Sequence, residues 1–336
     1  MKLFSLIENE AIKMISKRRL LFVLGILIIL ISVFAYGQKH TMDRTKAQLE
    51  QRMGIAATND WRKLANQQLI DMKNRLDSPY MNDKSKATLQ VRIQQLQYNL
   101  NNNINPIDLS SAKFTSTFME EAISLFLPLL IIMLAADIVS GESSNGTIKL
   151  LLVRNIPRWK ILLSKYLTLL ILDIFVVFAA FVLSAVISGF FFGFGGWLAP
   201  VATGFKVIAG KLDSSSVFNV PRWQYTLMVY SLALFVSFVI GSISFMISVL
   251  VKSTAASIGI IMSTLVAGSF ISYFLSDWPL TRYLFMVNLW LPDYISGSFP
   301  PTPGMSMLFS IKVLLGWAVG SIIISFVYFS KKDILV

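Results

Sequence analysis

No cysteine occurs among the 336 residues, and His40 is the only histidine. The first absence excludes a disulfide framework and a thiolate metal site. The second leaves no multi-histidine metal centre, and a lone histidine is ordinarily a solvated or packed residue. Charge is scarce as well. Asp, Glu, Lys and Arg make up 14% of the chain, against about 25% in soluble globular proteins. Negative charge is the scarcer sign, with 18 acidic against 30 basic residues and a net charge of +12. No carboxylate pair, nucleophile–base set or metal cluster stands out, which argues against an enzyme acting by its own chemistry. Apolar residues fill the space, at 55% of the chain with a mean hydropathy of +0.65. That balance describes a membrane protein. Its basic excess fits loops beside anionic headgroups better than a nucleic-acid surface, so no nucleic acid is expected as a partner.

A spanning helix needs roughly 20 mostly apolar residues. Six runs qualify: Leu20–Tyr36, Ala122–Val139, Ile161–Phe191, Tyr225–Val251, Thr254–Leu275 and Met305–Phe329. The expected fold is an all-α membrane protein with six transmembrane helices. Short basic loops set the orientation. Lys13, Lys17, Arg18 and Arg19 precede the first span, and Lys149, Arg154, Arg158, Lys160 and Lys165 separate the second from the third. Lys252 lies between the fourth and fifth, and Lys331 and Lys332 follow the sixth. With six spans all four places share one side. That side is expected to be the cytoplasm, with both termini in it. The first span has no small-residue cleavage site after it and reads as a retained helix, not a signal peptide.

Met1–Ser16 is amphipathic. Leu3, Phe4, Ile7, Ala11, Met14 and Ile15 share one stripe, while Glu8, Asn9, Glu10 and Lys13 fall elsewhere. This suits a helix lying in the membrane interface. From Gln38 to Thr117 the chain is polar yet keeps helical periodicity, with Leu49, Met53 and Ala56 on one stripe and Leu89, Ile93, Leu96 and Leu100 on another. Asp77-Ser78-Pro79 is a turn signal between them. A helical hairpin on the outer face is expected. Three parts result: 1–37, the interfacial helix and first span; 38–117, the extracytoplasmic helical domain; and 118–336, the remaining five spans. Within the last, 193–221 is a Gly- and Ser-rich outer loop. Residues 277–304 form an outer re-entrant or interfacial segment, because the apolar run Tyr283–Leu291 is too short to span.

Gly141–Lys149 reads GESSNGTIK. A phosphate-binding loop reads G-x-x-x-x-G-K-[ST] between a strand and a helix. Gly141 and Gly146 have that spacing, but the lysine comes three residues late as Lys149, and a membrane helix stands before the loop. Nucleotide binding here is therefore not expected. A short amphipathic helix is, with Ile148, Leu151 and Leu152 on its apolar side and Lys149 and Arg154 towards water. Pro157 suits the first turn of the next helix, and Arg158, Trp159 and Lys160 are interfacial anchors.

The run DIVSGESSNGTIKLLLVRNIPRWKILLSKYL resembles the cytoplasmic segment of type-2 ABC-transporter permeases, the exporter kind. That family carries a G-E-x-x-x-G-T-[IL]-[KR]-x-L-L pattern before its third span. The matching residues are Gly141, Glu142, Gly146, Thr147, Ile148, Lys149, Leu151 and Leu152, followed by Arg158, Lys160, Lys165 and Tyr166. ENEAIKMISKRR, near the start, resembles the family's interfacial entry helix. The resemblance implies that 139–160 is a coupling segment docking on a separate ATPase, with Arg154 and Arg158 in the same surface. It implies two ABC ATPase subunits holding ATP and Mg, and no cofactor on this chain. It also implies a second permease chain, identical or related, and a bacterial plasma membrane. Two rival readings are a secondary transporter or channel, and a membrane sensor or envelope anchor using the outer helices.

Asp173 is the charge deepest in any span, and such residues are functional candidates by default. It is expected either to line a translocation path or to bond to a neighbouring helix. Lys165 and Lys312 are expected to snorkel. Small residues at Ser237, Gly241, Ser244 and Ser248, and at Gly259, Ser263 and Ala267, are expected to let helices approach closely.

Overall fold

The computed structural model describes residues 3–53, 60–78, 81–147, 156–208, 211–274, 278–298 and 305–331. Its helices are α1 (Leu3–Ser16), α2 (Arg19–Met53), α3 (Trp61–Leu76), α4 (Asp83–Asn101), α5 (Ser111–Ala122), α6 (Phe126–Ala135), α7 (Ser140–Ser144), α8 (Arg158–Phe192), α9 (Arg222–Leu250), α10 (Thr254–Phe274), α11 (Pro292–Ser296) and α12 (Met307–Lys331). Four are long and apolar enough to cross a membrane: α2, α8, α9 and α12. The bent pair α5–α6 makes a fifth if counted as one span. In α10 the apolar stretch is the shorter Thr254–Gly268. The described helices therefore give four or five spans by length and composition, where the sequence predicts six.

Burial ranks the spans. In α9, 67% of the most apolar window is buried, against 22% in α2 and in α12. The central helix is thus α9, with the others around it. The peripheral helices keep large apolar side chains exposed, such as Phe22, Ile29 and Val33 on α2 and Phe175 and Phe178 on α8. Apolar belts of that extent need a lipid surround.

Two sequence expectations are corrected by backbone chemistry. The second span, expected as one helix over Ala122–Val139, breaks at Ile123–Leu125, and α5 and α6 meet at 64°. Pro128 is the reason. Its ring clashes with the carbonyl four residues back, at Ser124, and it offers no N–H. The first span, expected to end near Tyr36, instead continues as one helix to Met53. Gly37 sits inside it without breaking it.

Not all of the chain is helical. The loop expected over 193–221 holds two antiparallel ladders. Pro200–Thr203 (β1) pairs with Phe218–Pro221 (β4), and Lys206–Ile208 (β2) with Lys211–Asp213 (β3). Gly204, at φ +84°, makes the corner between β1 and β2. The 278–298 segment is two 3₁₀ turns, Thr281–Tyr283 and Phe285–Asn288, followed by α11, and not one helix.

These pieces lock into one polar unit. Thr203 Oγ1 donates to the Ile295 carbonyl at 2.6 Å. Gln95 Nε2 donates to the Gly297 carbonyl at 2.8 Å, and Gln94 Oε1 accepts from the Leu212 N–H at 2.8 Å. Helices α3 and α4 pack against each other beside it. In α11, burial and then Glu120 and Glu121 push the Asp293 carboxyl up to about 7, with Arg92 opposing. Between 3.8 and 7 the folded chain holds a proton there that the unfolded chain has released. Stability should therefore fall as pH rises through that window. Asp293→Asn should abolish this component in unfolding measured at pH 5.5 and pH 8.

Candidate functional site

The chain that follows α6, residues 136–147, makes an elbow at one end of the bundle. Its apolar residues Ile138 and Val139 are buried, so its backbone N–H groups need internal partners. Ser248 of α9 supplies one for two of them: its Oγ accepts from Val139 N at 3.1 Å and from Ser140 N at 3.0 Å. The Ser237–Ser248 stripe thus packs, as its small residues suggest, and also caps α7. The other stripe, Gly259, Ser263 and Ala267, faces outward from α10.

Both glycines of the opening motif have local causes. A methyl at Gly141 would overlap the Asp137 carboxylate. Gly146 has φ +68° and follows the Asn145 cap of α7, the left-handed position that favours glycine at a helix end. Gly141→Ala should cost about 1–3 kcal/mol by overpacking. Gly146→Val should cost about 1–2 kcal/mol by backbone strain. Thermal unfolding in detergent checks both, and Gly316→Ala, where an added methyl meets nothing, is the control.

Charge fixes the elbow in place. Asp137 is 3% exposed. Its Oδ2 lies 2.9 Å from Lys17 Nζ and 3.0 Å from an Arg19 guanidinium nitrogen. Its Oδ1 accepts from Thr254 Oγ1 at 2.9 Å. One carboxylate therefore ties the start of α2 and the start of α10 to the elbow. Arg18, between α1 and α2, takes a left-handed φ of +57° and turns the chain from one helix into the next.

A second cluster joins α1, α7 and α8. Lys165 is 2% exposed. Its Nζ lies 2.7 Å from Glu10 Oε2 and 2.8 Å from Glu142 Oε2. Lys13 Nζ completes it, 2.9 Å from Glu10 Oε1 and 3.1 Å from Glu142 Oε1. Two carboxylates and two ammonium groups alternate, so each has neighbours of opposite sign. Burial opposes ionisation of Glu10, but Lys165 and Lys13 outweigh it and hold its carboxyl below the usual 4.5. Burial likewise opposes the charge on Lys13, but Glu10 and Glu142 hold it above 10.5. Glu10 thus contributes stability above 4.5 that is lost as pH falls through its lowered value. Lys13 contributes below 10.5 and is lost as pH rises through its raised one. Between those limits Glu10 and Lys13 both keep their charge.

This geometry corrects two expectations. Lys165 does not snorkel; it is buried in an ion cluster. Glu10 does not lie on the water side of α1. The helix buries Leu6, Glu10 and Met14 and leaves Phe4, Ile12 and Ile15 exposed. The sequence reading missed Glu10, Lys13, Lys17, Arg19 and Asp137 as site residues.

Of the residues expected to couple, Gly141 and Glu142 are buried, and Gly146 and Thr147 are exposed at the elbow's tip. Arg158 begins α8, with a guanidinium nitrogen 3.5 Å from the Ser330 carbonyl at the end of α12. Ile148, Lys149, Leu151, Leu152 and Arg154 lie outside the described residues. Asp173 is fully buried in α8, and neither of its oxygens has a hydrogen-bond partner among the described residues. A β-carbon at Gly241 of α9 would sit 2.7 Å from Asp173 Oδ2. Of the two alternatives expected for Asp173, a bond to a neighbouring helix is not seen among the described residues. Among the described residues no group of three His, Cys, Asp or Glu side chains could hold a metal ion.

The fold and the buried ionic elbow define a helical protein embedded in a membrane. Within that class, the chain belongs to the family described as "Protein of unknown function (DUF2705)", whose model matches residues 86–335. It is similar to "Uncharacterized protein YhcI" of Bacillus subtilis (strain 168), with 25% identity over 336 residues and 99% of each chain covered. It is also similar to "Uncharacterized membrane protein YdbK" of the same organism, with 26% identity over 224 residues, 64% of this chain and 80% of that one.

Proposed function

We propose that this chain is the permease subunit of an ATP-driven exporter of the type-2 ABC kind. In this reading it sits in a bacterial plasma membrane with both termini in the cytoplasm and the polar unit of α3, α4 and the ladders outside. Two ATPase subunits on separate chains hold ATP and Mg, and a second permease chain completes the complex. The outward-facing Gly259, Ser263 and Ala267 would let that chain's helix approach closely.

One observation carries the reading. The last described residues of the elbow, Ser144–Thr147, are exposed, on a base tied by ion pairs and hydrogen bonds to α1, α2, α8, α9 and α10. A push on the tip is therefore passed to several membrane helices at once, not absorbed by a loose loop. The basic residues of α1, the start of α8, the α9–α10 turn and the end of α12 gather at the same end, which suits the cytoplasmic side.

The test is recovery of the chain from its native cell in mild detergent, followed by an ATPase assay. A soluble ATP-binding subunit and ATP hydrolysis in the recovered complex are expected. Recovery alone, without hydrolysis, would overturn the reading in favour of a channel, a secondary transporter or a sensor. Within an active complex, Glu142→Gln or Lys149→Glu should weaken coupling of hydrolysis to transport by a factor of about 3–30. Unchanged coupling in both would sink the elbow's role.

A further inference from the structure

We infer that a groove along α12 is a binding site for an anionic phospholipid of the surrounding bilayer. The inference does not depend on the transport reading. The groove holds about 420 Å³ and is lined by Tyr283, Lys312, Gly316, Trp317, Gly320 and Ile324, among others. Its floor is open because two residues one turn apart lack side chains. A β-carbon at Gly316 or Gly320 would meet no atom within 4 Å, so no described residue fills the space. One wall is fixed by Trp317, whose Nε1 donates to the Tyr283 carbonyl at 2.9 Å. From Lys312 to Ile324 the groove runs about 18 Å along the helix axis, through a lining that is mainly apolar, with Ser321 its one hydroxyl on α12. An acyl chain fits that shape and polarity.

Charge selects the headgroup. Lys312 is exposed at the end of the groove nearest the start of α12. Arg282 lies at the same end, with its guanidinium carbon 5.1 Å from the Tyr283 ring centre and 5.9 Å from that of Phe309. Among the described residues neither cation has an acidic partner within ion-pair distance. Two cations that have no acidic partner among the described residues, at the mouth of an apolar groove, call for an anion whose tail is apolar. The alternative occupant, a second copy of this chain, fits poorly. Parallel helices crossing at Gly316 and Gly320 would set two Lys312 ammonium groups side by side in a low-dielectric zone.

The experiment purifies the chain into nanodiscs of equal parts phosphatidylglycerol and phosphatidylcholine, then extracts it and measures retained lipid by native mass spectrometry. Wild type should retain phosphatidylglycerol in preference. Lys312→Gln should cut that preference about fivefold, the effect of one basic residue near an anionic headgroup. Gly316→Leu, which fills the floor, should abolish retention. Because that variant could disturb folding, phosphatidylglycerol brominated on its acyl chain provides a second readout. It should quench a fluorescence component that is missing in Trp317→Phe. Equal retention of both lipids by wild type, or no quenching at Trp317, would overturn the proposal. So would a disulfide-linked dimer of Gly316→Cys in the bilayer, a clean probe because the chain has no native cysteine.

Discussion

Lys165→Met should lower the unfolding free energy by about 3–5 kcal/mol, the cost of leaving buried charges without their partner. The magnitude follows from geometry. Lys165 is the one cation in its cluster that solvent does not reach, at 2% side-chain exposure. Both Glu10 and Glu142 lie within 2.8 Å of its Nζ. Lys13 cannot replace it, because its own side chain is 44% exposed and its attraction is screened accordingly. The sharper test is the triple variant Glu10→Gln, Glu142→Gln, Lys165→Met. With both carboxylates neutral, the desolvation cost disappears together with the attraction, and most of the lost stability should return. Thermal unfolding in one detergent at pH 7 reads both. A loss below about 1 kcal/mol in the single variant would mean that water reaches the cluster and that it does not brace the elbow.

Asp173→Leu should act in the opposite direction and stabilise the protein by about 1–3 kcal/mol, the penalty for a buried polar group without hydrogen bonds. Leucine branches where aspartate does, and its methyl groups would take the place of the carboxylate oxygens, one of which fills the space over Gly241. Asp173→Asn should gain little, since an amide at the same place also lacks partners. A membrane helix that carries such a cost at a fully buried position is expected to use it. The informative pattern in the recovered complex is therefore a higher unfolding temperature together with lower transport. Stabilisation with unchanged transport would make Asp173 a tolerated defect. Destabilisation would mean that its oxygens have partners after all.

The membrane character of this chain was legible because hydropathy is a local property. A run such as Ile161–Phe191 must become a helix in lipid, since its backbone groups have no other partners there. The break before Phe126 has an equally local cause, Pro128 acting four residues back, yet the sequence reading carried one span through it. The ladders of 200–221 were harder to read. Their strands are three or four residues long and are held by Ile295 and Gln94, distant in sequence.

The ionic elbow lay beyond sequence reasoning. Glu10 and Lys165 are 155 residues apart, and Lys13 and Glu142 are 129 apart. No periodicity links them. On a helical wheel Glu10 belongs to the polar side of α1, because a wheel compares a residue with its own helix and not with the cation waiting on α8. Lys165 near a helix end reads as a snorkelling residue for the same reason. By itself the sequence determined that the chain enters a membrane and roughly where its apolar helices lie, since hydropathy depends on neighbours within a few residues. Which charges are buried, which partner each one meets and which small-residue face is left open were decided only by tertiary structure, because Coulomb attraction and packing act through space and take no account of separation along the chain.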